Sequence, residues 1–346
     1  MALFEVKPFD RAFYRENLSD FLPDRLFDVH VHMYSRTAGA AVDERTVSWP
    51  ARVADCNPIE HLDETTKLLF PGKEYASLVF GSPTDCPSVD AANEYVSVHA
   101  AGAGHPALML AHPGMSQNEM SEKLTRGGFC GIKVYLTFAP RHIRTDEIRI
   151  FDFLPRAQLE VCDQLGLAVM LHIARSRRLR DEQNISDLLE IKRNFRNVRL
   201  IVAHVGRAYC REDVGEALEI LSGAENMLFD ISANTNDWVF ERLIKTIGSS
   251  RILYGSDLPV TRMRMRRVER DGRYVNLVPR GMYGEVSADP NMGELDPPES
   301  DHLSFFLYEE IAAFRRAALR AGMGKDEINR VFRANGEALF LQSERI

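Results

Sequence analysis

The chain repeats one pattern eight times: a short apolar run, then a segment long enough for a helix and its turns. The runs fall at about 26–32, 76–80, 107–111, 130–136, 168–172, 199–203, 227–231 and 252–256. Helical periodicity is readable between many of them, at about 88–102, 150–165, 184–195, 211–223 and 237–247, with Gly166 and Gly248 as stops. Alternation of this kind implies βαβ units and a parallel sheet. Eight units imply an α/β chain closed into a (β/α)8 TIM barrel. A doubly wound open sheet is disfavoured, because no Gly-x-Gly-x-x-Gly follows any run. In a barrel the C-terminal ends of all strands open on one face, where active sites are built.

Polar residues able to bind a metal recur at those ends. Phe27-Asp28-Val29-His30-Val31-His32 carries histidines at i and i+2, which a strand points to one side. Lys133 follows Gly131-Ile132, His172 ends Val169-Met170-Leu171, His204 ends Ile201-Val202-Ala203, and Asp257 follows Tyr254-Gly255-Ser256. Met227-Leu228-Phe229-Asp230-Ile231-Ser232 is read as the strand between the last two. Two histidines alone are compatible with an ordinary strand holding two incidental polar residues. A series locked to strand ends points to a divalent metal, since neutral imidazole is its commonest side-chain ligand.

Composition narrows the remaining possibilities. The chain of 346 residues is 45% hydrophobic and 27% charged, with a formal net charge of −7. Those values describe an ordinary globular protein with no basic footprint for nucleic acid. The first residues lack the apolar core of a signal peptide, and no run is long enough to cross a bilayer, so a cytoplasmic, non-membrane protein is expected. The five cysteines are scattered without a CxxC, and Cys130 and Cys162 read as buried thiols. We divide the chain into a leader at 1–25 and a single barrel at 26–346, with long insertions after strands one and eight at 33–60 and 261–301. The second insertion shows no sustained helix or strand period. Leaving the metal face, it is expected to cover the site, with disorder as the competing reading. Amphipathic helices are predicted at 303–319 and 325–341.

Arginines cluster after three of the strand ends. Arg175, Arg177 and Arg178 follow His172, Arg207 follows His204, and Arg262, Arg264, Arg266 and Arg267 follow Asp257. Guanidinium groups recognise carboxylates and phosphates bidentately, which points to a small anionic substrate. Arg175, Arg207, Arg262 and Arg264, with His112 near the end of strand three, are the candidate substrate contacts. Each alone could equally be a solvated surface charge.

Asp28-Val29-His30-Val31-His32, Gly131-Ile132-Lys133-Val134-Tyr135, His172, Ala203-His204-Val205-Gly206 and Gly255-Ser256-Asp257-Leu258-Pro259 together resemble the amidohydrolase superfamily of metal-dependent TIM barrels. The likeness is strongest to the branch of aminocarboxymuconate-semialdehyde-decarboxylase-like enzymes, which shares the Gly-Ser-Asp-x-Pro ending and a terminal Asn335-x-x-x-Leu339-Phe340. It covers about residues 26–260 and 325–341. The resemblance implies that His30 and His32 bind the more buried ion, that Asp257 completes its shell and carries protons, and that His172 is a further ligand. His204 would bind a second ion or hold the attacking water. Lys133 would be either a carbamate bridging two ions or a cation beside one. The implied cofactor is one or two divalent ions, zinc first, with manganese, iron or cobalt accepted by the same donors. The expected activity is hydrolysis of an amide, lactone or ester C–N or C–O bond in a carboxylated molecule. A decarboxylase or hydratase is the alternative, and a homo-oligomer is an open expectation.

Overall fold

The computed structural model describes residues 2–35, 52–83 and 88–341. Most of the expected loop at 33–60 lies outside these residues. Eight parallel strands alternate with helices: β1 (Arg25–His32), β2 (Glu74–Phe80), β3 (Met109–Leu110), β4 (Gly131–Val134), β5 (Ala168–Leu171), β6 (Arg199–Val202), β7 (Met227–Asp230) and β8 (Ile252–Leu253). β3 to β8 pair in sequence order, and β1 pairs with β2. Two further sets of backbone hydrogen bonds link the two sheets. Leu108 N–H donates to the Val79 carbonyl at 2.9 Å, joining β2 to the start of β3. Val29 N–H donates to the Tyr254 carbonyl at 2.9 Å and His32 N–H to that of Leu258 at 2.8 Å, while Asp257 N–H returns to His30 at 2.8 Å. The strand order therefore runs back to β1, as a barrel requires.

Alternation along the strands builds two cores. Leu26, Val31, Ile132, Val134, Val169, Leu171, Leu200 and Val202 face the helices. Phe27, Val29, Leu78, Phe80, Leu108, Met170, Ile201 and Leu253 fill the interior, stoppered by Phe340 from the C-terminal helix. Local sequence places the helices. Ser88, Ser116, Asp181 and Asn236 cap the helices that follow them, and left-handed glycines Gly104 and Gly128 end two.

Several elements differ from the sequence expectation. Helices Ile59–Leu69 and Gln117–Gly127 were not anticipated. The helix expected at 211–223 is reduced to a single turn at 211–213 and a short helix at Ala217–Leu221. The segment 261–301 is ordered, not aperiodic. It forms strands β9 (Arg266–Arg270), β10 (Arg273–Pro279) and β11 (Met292–Leu295), over a satellite core of Met263, Met265, Val278, Tyr283, Val286, Met292 and Phe306. The N-terminal helix Pro8–Asn17 is tied to this segment through Asp10 and Arg264.

Candidate metal centre

A β-bulge puts the first two histidines in place. The β1–β2 register shifts between Asp28 and Val31, so Phe27 and Val29 face the interior and so, one step out of phase, do His30 and His32. Asp28 secures the bulge. Its Oδ1 accepts from the backbone N–H of His30 and of Ser256, both at 2.9 Å, and its Oδ2 accepts from the Tyr75 hydroxyl at 2.7 Å. Burial raises the Asp28 carboxyl to about 7 against those hydrogen bonds.

His30 is 1% exposed. Its Nδ1 lies 3.0 Å from Asp230 Oδ2 and 3.2 Å from Ser232 Oγ. With Nδ1–H given to the Asp230 carboxylate, Nε2 is left to face the cavity. There it stands 3.5 Å from Asp257 Oδ1 and 3.4 Å from Lys133 Nζ. His32 Nε2 lies 3.1 Å from the same Asp257 oxygen. His204 is turned the same way: Nδ1 sits 3.1 Å from the Ser232 carbonyl and 2.9 Å from its hydroxyl, and the ring lies 4.7 Å from that of His30. Two groups of donors thus converge within 4.8 Å, His30–His32–Asp257 and His30–His204–Asp230. In the second, Asp230 meets the outer nitrogen of His30, the arrangement by which a carboxylate orients a metal-binding imidazole.

Electrostatics favour the ligand forms. Burial, then the Lys133 charge, pushes His30 down to about 3. His172 and His204 are also lowered, chiefly by burial. These rings are therefore neutral at pH 7, as a metal requires. Burial opposes ionisation of Asp257 and Asp230, yet histidine hydrogen bonds and charges hold both below the usual carboxylate range. Lys133 is completely buried, with Nζ over the Phe80 and Tyr135 rings at 4.9 and 5.1 Å. Burial lowers it to about 8 although Asp230 and Asp257 pull the other way. Among the described residues, His32 Nδ1 and His172 Nδ1 are buried without a hydrogen-bond partner. A neutral nitrogen and carboxylate set of this kind fits a divalent ion.

The other sequence candidates are placed unequally. His172 stands outside both donor groups, its ring 5.3 Å from that of His204. Arg207 keeps to the His172 side, with Nη1 3.5 Å from the Ile173 carbonyl. Arg175, Arg262, Arg264 and His112 each have a partner within the chain. Arg175 pairs with Asp181 at 2.8 Å. Arg262 donates to Thr65 Oγ1 and the Val53 carbonyl. Arg264 holds Asp10 with both terminal nitrogens, at 2.9 and 2.6 Å. His112 Nδ1 accepts from Gly114 N–H in a groove shared with Pro113, Phe138 and Arg141.

Asp230, Ser232 and Asp28 were missed as site residues. Asp230-x-Ser232 repeats the i, i+2 form of the histidine pair at the end of β7, which was the available signal. Gly255 has a steric role: a Cβ there would lie 2.8 Å from the Cβ of His30 and 3.3 Å from that of Ser232. Behind the site Glu310, fully buried, accepts from the Ala233 N–H at 2.7 Å. Burial first, and then the charges of Asp28, Asp230 and Asp257, raise its pKa well above the ordinary value.

A barrel with this donor set at its strand ends presents a candidate divalent-metal site. The amidohydrolase family model matches residues 27–301, and the chain belongs to that family. Its fold is shared with solved structures of low identity. An amidohydrolase from Burkholderia multivorans is 12% identical with a TM-score of 0.57, over 91% of this chain and 99% of that one. A 2,6-dihydroxybenzoate decarboxylase from Rhizobium is 13% identical with a TM-score of 0.55, over 91% and 99%. A probable 2-pyrone-4,6-dicarboxylic acid hydrolase from Acinetobacter baumannii is 14% identical with a TM-score of 0.52, over 91% and 98%. Comparison with curated proteins gives no significant match. Among the described residues no helix is long and apolar enough to cross a membrane.

Proposed function

We propose that this enzyme is a metal-dependent hydrolase that cleaves a C–N or C–O bond in a small carboxylated molecule. The observation that carries the reading is the convergence of His30 Nε2, His32 Nε2 and Asp257 Oδ1, with the outer nitrogen of His30 held by Asp230. His30, His32 and Asp257 would hold one ion, zinc in the first instance, with His172 and His204 beside it. Such an ion supplies a water of pKa about 7 and polarises a carbonyl. Asp257, ionised and facing the cavity, accepts the proton of the attacking water and returns it to the leaving nitrogen or oxygen. His204, its Nδ1 fixed by Ser232, presents Nε2 to the same water. Under the same proposal the protein belongs to the cytoplasm, a compartment that suits buried thiols such as Cys162 and Cys210.

A lyase is the second reading. It is favoured by the aromatic walls that Phe80 and Tyr135 raise around Lys133, which suit a carboxylated ring. Product mass separates the two: gain of one water with cleavage supports the hydrolase, and loss of carbon dioxide the lyase. Metal analysis tests the site itself. His30→Ala should leave a folded protein with strongly reduced metal content, and unchanged stoichiometry would refute the assignment. The same measurement on wild type counts the ions. Two per chain, with Lys133 labelled by 13C-bicarbonate, would establish the carbamate; one per chain with no label would leave Lys133 an amine.

A further inference from the structure

Four of the arginines around the barrel mouth have a carboxylate. Arg175 has Asp181, Arg178 has Asp213, Arg264 has Asp10 and Arg266 has Glu309. Arg267, from the inserted sheet, has none within 4.0 Å among the described residues, although it is only partly exposed. Its guanidinium is instead positioned by neutral groups. Nε donates to Asn276 Oδ1 at 2.8 Å and Nη1 to the Ala233 carbonyl at 2.6 Å, one residue beyond Ser232 of the metal centre. Its carbon lies 4.4 Å from the Tyr209 ring centre and 4.7 Å from those of Tyr274 and Phe306. Two of five N–H donors are committed, and the rest have no anion. Withholding a cation from water without a counter-charge is costly, so a fixed guanidinium with spare donors is poised for an anion.

The neighbours share this character. Tyr209 and Tyr274 pack edge to face at 5.1 Å, and among the described residues neither hydroxyl has a hydrogen-bond partner. Arg207, two residues before Tyr209, likewise lacks an acidic partner within 4.0 Å among the described residues. It ends a backbone turn of four consecutive positive φ values, His204 to Arg207, which ties its position to that of His204. The subsite residues are tied to the metal face by geometry: Arg267 through the Ala233 carbonyl, next to Ser232, and Arg207 through the turn that begins at His204.

We infer that Arg267, Arg207 and the Tyr209 hydroxyl form a subsite for a second carboxylate of the substrate, remote from the bond that reacts. The inference rests on the proposed metal-face reaction and narrows its substrates to dicarboxylates. It also replaces Arg262 and Arg264 as the anion contacts of the inserted segment.

Calorimetric titration tests the subsite without turnover. Benzoate is compared with isophthalate, terephthalate and homophthalate on zinc-supplemented wild type, Arg267→Met and Tyr209→Phe, with metal content read on the same samples. At least one dicarboxylate should bind wild type tenfold or more tightly than benzoate. Arg267→Met should abolish that preference while benzoate affinity and metal content hold, and Tyr209→Phe should reduce it several-fold. No preference in wild type, or a preference untouched by Arg267→Met, overturns the subsite. If Arg267→Met fails to fold, Tyr209→Phe, which removes a single oxygen, decides by the same criterion. The reaction type and the metal assignment are judged by product mass and by His30→Ala, so their failure is recognised separately.

Discussion

Gly255 occupies a tight point of the centre, where the chain just beyond β8 passes His30 with no room for a methyl group. Its backbone is not in the left-handed region, so the requirement is one of space alone. Gly255→Ala would press on the Cβ of His30 and next on that of Ser232, both attached to rigid interior backbone. Overpacking a close-packed core typically costs 1–3 kcal/mol. We expect a loss of about that size by thermal or denaturant unfolding, and a larger proportional loss of bound metal, because His30 must move relative to Asp257. Retained metal with full stability would show that the strands yield there without displacing the ligands. The same scale explains why His30 can serve: Asp230 takes the proton-bearing nitrogen and leaves the other as a donor.

At the scale of elements, the turn after β6 carries the strain. His204, Val205, Gly206 and Arg207 have φ of 56°, 50°, 61° and 58°, and three of the four are not glycine. A non-glycine residue costs roughly 1–2 kcal/mol in this region. The turn is held by His204 N–H on Asp230 Oδ1 at 2.9 Å and by Asn234 Nδ2 on the Ala208 carbonyl at 2.8 Å. Gly206 also abuts buried Leu179, where a Cβ would fall 2.6 Å from Cδ1. Gly206→Ala should therefore destabilise by about 2–4 kcal/mol, a left-handed cost added to a steric one. It should impair turnover beyond any loss of folded protein, since His204 and Arg207 are set by this turn. Unaltered kcat and stability would mean that the turn relaxes freely. Such strain has no sequence signature in Ala203-His204-Val205-Gly206, although His204 itself was legible as a strand-end histidine. The strands were readable for the same reason, being short apolar runs with interior and exterior faces. Helix Gln117–Gly127 was not, because it buries only Met120 and Leu124 and offers the eye a polar segment. β9 and β10 were obscured by Arg266, Arg267, Arg270 and Arg273, which break any apolar alternation. The bulge in β1 was also invisible: period two correctly put both histidines on one face, but only the register shift makes that the interior face.

At the scale of the whole molecule, the N-terminal helix and the inserted segment are joined across the chain by one buried cluster. Arg264 donates to both oxygens of Asp10, to the Leu303 carbonyl and to the Glu5 carbonyl, while Ser304 Oγ also donates to Asp10. Asp10 is fully buried and Arg264 is 6% exposed, so neither charge is shared with solvent. The partners stand 254 residues apart, which is why sequence spacing pointed Arg264 at the substrate instead. Replacing a buried pair by apolar residues is often neutral, but removing one partner leaves a buried charge and typically costs about 3–5 kcal/mol. Arg264→Met should therefore lower stability by roughly that amount, loosening the helix Pro8–Asn17 and the start of the inserted sheet together. Hydrogen exchange should quicken in both regions while amides of β4 to β7 remain protected. Metal content should hold in the folded fraction, and so should the affinity for carboxylates if the proposed subsite at Arg267 and Arg207 is their contact. A selective rise in KM at unchanged stability would instead return Arg264 to the substrate.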